Sequence, residues 1–168
     1  MYENILFPTD GSEAADAALD HAVDHARQYG ATLHVLFVAQ DDFGPSGLVH
    51  EEHDDVEQSD MVGEHDDIQS SGMTTEEPAK VGVIAEQGET VVSEVADEVG
   101  DDVSVVTAVR TGAPYERILD YADQEGADMV VMGTHGRTGV DRYLLGSVTE
   151  KVVRTADIPV LTVRAEED

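Results

Sequence analysis

No cysteine occurs in the 168 residues. A disulfide framework, a thiolate metal site and a cysteine nucleophile are therefore excluded. Lysine is nearly absent too: of nine basic residues only Lys80 and Lys151 are lysines. No apolar run approaches the roughly 18 residues that suggest a membrane-spanning helix. The opening MYENILFPTDGS has no basic stretch followed by a long apolar one, so a cytoplasmic protein is expected. Two phosphate-binding signatures are also missing, the G-x-x-x-x-G-K-[ST] loop with its lysine and an early G-x-G-x-x-G fingerprint.

What the chain has in excess is negative charge. It carries 37 acidic residues against 9 basic ones, a formal net charge of −28. Such a surface repels nucleic acid and anionic membranes, and at low salt it repels itself. The acidic residues are spread along the chain rather than confined to a tail, the pattern of proteins that work in concentrated salt. A halophilic source is the expectation, with an acidic protein of a mesophile as the alternative.

At this length one domain is expected. Along it, strand and helix signals alternate. The run NILFPT (4–9) ends at the turn signal DGS, and residues 12–29 follow with Leu19, Ala22, Val23 and Ala26 at helical spacing. Gly30 is a helix stop, and TLHVLFVA (32–39) reads as a second, buried strand. Further strands are expected at 103–109, 127–133 and 159–164, with helices near 114–125, opened by Pro114, and 147–156. Residues 41–78 break this rhythm: the segment is rich in Asp, Glu, Ser and Gly and offers no core face, as in a mobile acidic insertion. A helix at 79–99 follows it, weakened by Gly82 and Gly88. The sum is an α/β fold, an open five-stranded parallel sheet with helices on both faces.

In such sheets ligands bind beyond the carboxyl ends of the strands, where the strand order reverses. With the order 3-2-1-4-5, two glycine-bearing loops face each other there: PTDGS after the first strand, and Gly133–Ser147 after the fourth. Glycines at 133, 136 and 139 permit positive φ and a close backbone approach to an anion. Gly146 and Ser147 then open a helix whose N-terminus is a second anion site. Each feature also has a purely structural reading. Ser147 and Glu150 fit a capping box, and Asp10 with Glu13 fits a helix cap.

The stretch GTHGRTGVDRYLLGS has the spacing G-x-x-G, nine residues, G-[ST]. It resembles the nucleotide-binding branch of the universal stress protein family, as do the opening ILFPTDGS and the closing IPVLTVR. The resemblance covers nearly the whole chain outside 41–78. It implies an adenine nucleotide alpha hydrolase-like fold that binds ATP (or AMP or ADP) with Mg²⁺ or Mn²⁺, and a homodimer formed through residues 158–164. Carried onto this chain, Pro8, Thr9 and Asp10 form the nucleoside wall and Val38 packs on the adenine. Gly133, Gly136, Arg137, Gly146, Ser147 and Val148 surround the phosphates, and Met132, His135 and Thr149 complete the set. His135 is placed either on a phosphate or in solvent.

Other constellations are weaker. His21 and His25 fall opposite the apolar face of their helix and read as solvated. His50, His53 and His65 lie among carboxylates, where a solvated acidic loop accounts for them as well as a divalent ion does. No dedicated general base is expected beside the phosphates. The leading reading is a stress-response regulator that acts through nucleotide-dependent conformation or partner binding. The alternative is a slow ATP hydrolase or nucleotidyl transferase on the same fold.

Overall fold

The computed structural model describes residues 1–40, 77–136 and 144–165. Its elements follow the chain as β1 (Asn4–Thr9), α1 (Glu13–Tyr29), β2 (Thr32–Ala39), α2 (Glu77–Val99), β3 (Val105–Thr111), α3 (Pro114–Glu125), β4 (Met129–Gly133), α4 (Ser147–Thr155) and β5 (Val160–Val163). All strand pairings are parallel and the order is β3-β2-β1-β4-β5, the open sheet expected from the sequence. Most of the expected insertion lies outside the described residues. Its last two positions, Glu77 and Pro78, already belong to α2, where a proline suits the first helical turn.

The sheet divides the core in two. Ile5, Phe7, Leu33, Val35, Phe37 and Val131 pack with α1 and α2, while Leu6, Leu36, Val130 and Met132 pack with Ile118, Tyr121 and Ala122 of α3 and Val152 of α4. Alternating residues of the central strands thus point to opposite faces, both buried, which is why β1 and β2 read as continuous apolar runs. Ile5, Leu6 and Phe7 are at most 1% exposed, and burying each contributes about 1.5–3 kcal/mol. α1 ends at Gly30, whose left-handed φ of 65° closes the helix through its N–H to the Ala26 carbonyl.

Several boundaries differ from the expectation, most by one or two residues, those of β3 and β4 for a visible reason. β3 spans 105–111 rather than 103–109, because its extent follows its partner: Leu33 pairs with Val105 and Ala39 with Thr111. β4 begins at Met129, not 127. Ala127 is used in closing α3 by donating to the Ala122 carbonyl, and the Asp128 carboxylate accepts from the backbone N–H groups of Glu3 and Asn4.

Candidate functional site

The order of the strands reverses between β1 and β4. The loop after β1 leads to α1 on one face, and the loop after β4 leads to α4 on the other. After β1 the chain turns tightly. Thr9 Oγ1 accepts from the Gly11 N–H at 3.1 Å and Asp10 Oδ1 from the Ser12 N–H at 3.0 Å. Ser12, not Asp10, caps α1, its hydroxyl accepting from Ala15 N at 3.3 Å. Asp10 therefore anchors the turn with one oxygen while the other points across the crevice.

The facing loop meets it there. A Cβ added to Gly136 would lie 2.7 Å from Asp10 Oδ2, and one added to Gly133 would lie 2.7 Å from the backbone carbonyl oxygen of Ala14. Gly146 folds back onto the same loop: its N–H donates to Thr134 O at 2.8 Å, and an added Cβ would stand 3.1 Å from that oxygen. Positive φ is not the reason for these glycines, contrary to the expectation. Gly133, Gly136 and Gly146 all lie outside the left-handed region. The chain needs them because Gly133 and Gly146 lie against backbone and Gly136 against the Asp10 carboxylate, which leaves no room for a Cβ.

The start of α4 also differs from the expected capping box. Gly146 is the N-cap and Ser147 the first helical residue, with no side chain capping the helix among the described residues, and the Glu150 carboxylate pairs instead with Arg154 at 2.9 Å. The N–H groups of Ser147, Val148 and Thr149 precede the first intrahelical bond, which runs from Glu150 N to Gly146 O. Together with the positive end of the helix dipole they make a terminus that attracts negative charge. Thr149 locks this helix to the sheet. It is 3% exposed, and its hydroxyl donates to the Gly133 carbonyl at 2.9 Å.

The remaining expected residues take different places. Pro8, Thr9 and Met132 are buried, Met132 within the core on the α3/α4 face, whereas Val38 is half-buried near the top of β2, one residue beyond the partner of Thr9. Ser147 and Gly136 are exposed. His135 is half-buried, its Nδ1 2.9 Å from Thr134 Oγ1, so its ring orientation is tied to the loop. Arg137 and Gly139 lie outside the described residues, as do His50, His53 and His65. Among the described residues no group of three metal-ligating side chains occurs. His25 turns its Nδ1 to the His21 carbonyl at 2.8 Å. The sequence reading missed the Thr149 brace and the Thr134–His135 contact. A threonine at the inward position of an amphipathic helix is the signal for the first, and nothing in the sequence marks the second.

A doubly wound parallel sheet with a glycine-lined crevice at its switch point, faced by a helix N-terminus, defines a class of small-ligand-binding α/β proteins. The model of the universal stress protein family matches residues 1–164, and this chain belongs to that family. Among its relatives, universal stress protein MJ0531 of Methanocaldococcus jannaschii is 32% identical over 167 residues, covering 98% of this chain and 83% of that protein. MJ0577 of the same organism is 30% identical over 175 residues, covering 98% and 96%. The solved MJ0577 structure superposes with a TM-score of 0.76, covering 100% of this chain and 99% of that one. Two more distant structures share the fold: a universal stress protein in complex with cAMP (21% identity, TM-score 0.59) and one from Archaeoglobus fulgidus in complex with dAMP (19%, 0.54).

Proposed function

We propose that this protein binds an adenine nucleotide, ATP in the first instance, in the crevice between the β1–α1 and β4–α4 loops, and acts through the conformation or partner contacts of the bound state. The observation that carries this reading is the approach of Gly136 to Asp10. Two loops meet where the Gly136 backbone lies against the Asp10 carboxylate, directly beside an N-terminus of α4 that no described side chain caps. Solved proteins of the same fold in complex with cAMP and dAMP support the adenine assignment.

The roles follow from chemistry. Asp10, an acceptor when ionised, suits ribose or amino donors of the nucleoside, and Val38 offers an apolar surface to the base. The N–H groups of Ser147, Val148 and Thr149 and the Ser147 hydroxyl face the phosphates, with Arg137 as a cation of the loop. With a net charge of −28 there is no long-range attraction for a polyanion. Affinity comes from short-range hydrogen bonds and from Mg²⁺ or Mn²⁺ carried in with the phosphates. Among the described residues no cluster of ligands would hold such an ion, so it would ride on the phosphates and neutralise charge there.

Releasing the small molecules from freshly purified protein by denaturation, and identifying them by mass spectrometry, tests the reading. Adenine nucleotides near one per chain are expected. A protein that carries none, and takes up none at millimolar concentration, refutes it. Incubation with ATP separates binding from the enzymatic alternative, since sustained release of phosphate or nucleotidyl transfer would favour the latter.

A further inference from the structure

Lys151 lies on α4, four residues after Ser147 at the start of the helix. Its ammonium stands 4.7 Å from the centroid of the Tyr115 ring on α3. It is exposed and makes no ion pair among the described residues, in a protein with 37 carboxylates. The neighbouring arginines are committed: Arg154 pairs with Glu150 at 2.9 Å and Arg117 with Asp120 at 3.0 Å. Tyr115 is oriented by its own hydrogen bond, the hydroxyl donating to Glu116 Oε1 at 3.0 Å, which leaves the ring face to the lysine.

We propose that Lys151 is a phosphate-binding residue of the nucleotide site, resting on Tyr115 when the site is empty and moving onto the phosphate chain when nucleotide binds. This inference depends on the nucleotide reading above. Helical side chains lean toward the N-terminus of their helix, so a swing of the Lys151 stem from Tyr115 would carry its ammonium toward the first turn of α4. Four residues of helix rise only about 6 Å, a span that the four-carbon stem of lysine covers. A cation on an exposed ring face is held weakly and in an uncommitted state. A phosphate oxygen is a stronger partner because both groups are charged. Tyr115 therefore holds the ammonium without satisfying it fully, and keeps one positive charge ready where the molecule has few.

Because the chain has only two lysines, the test is direct. Protein grown with lysine carrying a heavy carbon isotope at Cε gives two resonances by NMR. Lys151 is expected upfield in the free protein, shifted by the Tyr115 ring current, and Tyr115→Leu should abolish that shift and so assign the signal. Saturating Mg-ATP should return the signal to its ordinary position, whereas adenosine should leave it in place. By calorimetry, Lys151→Met should weaken ATP about ten-fold, the loss of one charge-assisted contact, and leave adenosine unchanged. If wild-type protein binds ATP while the Lys151 resonance stays under the ring and Lys151→Met binds as tightly, the lysine is a surface contact only and the inference fails alone. If wild-type protein binds no nucleotide, the reading of the site fails and this inference with it.

Discussion

Ser12 and Ser147 each stand beside a helix start, yet the structure gives them different work. The Ser12 hydroxyl caps α1 through Ala15 N, whereas Ser147 is the first residue of α4 and caps nothing. Ser12→Ala should cost about 1 kcal/mol of stability in urea denaturation. Ser147→Ala should stay within about 0.5 kcal/mol of wild type while weakening ATP. Equal losses for the two would contradict the assigned cap. His34 supplies a pH dependence. Its Nε2 lies 3.3 Å from Asn4 Oδ1 and its Nδ1 3.1 Å from the Tyr121 hydroxyl. The Asn4 amide nitrogen donates to Gly126 O at 3.4 Å, which assigns Oδ1 to the histidine. In the neutral ring Nε2 then carries the proton, donated to Asn4, and Nδ1 accepts from Tyr121. Burial pushes its pKa below the ordinary 6.5, against an opposing pull from Glu125. Because the folded value is depressed, the contribution of His34 to stability is complete above 6.5 and is lost as pH falls through the folded value. Between pH 7 and about 5, wild type should lose more stability than His34→Gln; parallel curves would contradict the neutral, buried ring.

At the scale of elements, β1, β2 and α3 were legible in the sequence to the residue, because turn and cap residues punctuate them: Asp10-Gly11-Ser12 after β1, Gly30 before β2, and Pro114 and Gly126 around α3. β3 was displaced by two residues because hydrogen-bond pairing with β2, rather than apolar content, ends it, and the exposed Arg110 and Thr111 give no apolar signal. The candidate site was legible in its glycine spacing but not in its reason. Close approach and left-handed backbone demand the same residue type, and only the position of Asp10 and Ala14 in space separates them. α2 shows the same ambiguity. Gly82 has nothing within 4 Å of an added Cβ, whereas at Gly88 that atom would lie 2.5 Å from Phe37 Cδ1. Gly82→Ala should stabilise by about 0.5–1 kcal/mol through backbone entropy and propensity. Gly88→Ala should destabilise by about 1–3 kcal/mol, because Phe37 is a packed core ring that has to move. Denaturation of the two variants checks this, and a gain for both would mean that α2 does not rest on Phe37.

At the scale of the molecule, charge and assembly remain as proposals with direct consequences. The −28 charge is repulsive at low ionic strength and screened at high, so the melting temperature should rise from dilute to molar potassium chloride. A melting temperature independent of salt would remove the halophilic reading. β5 pairs with β4 on one side only, and its four residues are each half-buried. A homodimer along residues 158–164 would cover that edge. Val160→Lys should shift the mass found by light scattering toward the monomer, and an unchanged dimer would place the interface elsewhere.

The central claim is that Gly136, packed against Asp10, leaves the crevice beside the start of α4 free of a side chain so that a nucleotide can bind there. Calorimetry of wild type and Gly136→Val with Mg-ATP in molar salt tests it most directly. Circular dichroism serves as a check that the variant is folded. The account predicts saturable binding of ATP to wild type and loss of that binding in folded Gly136→Val. Equal affinity in the two proteins, or no binding of ATP by wild type, would contradict it.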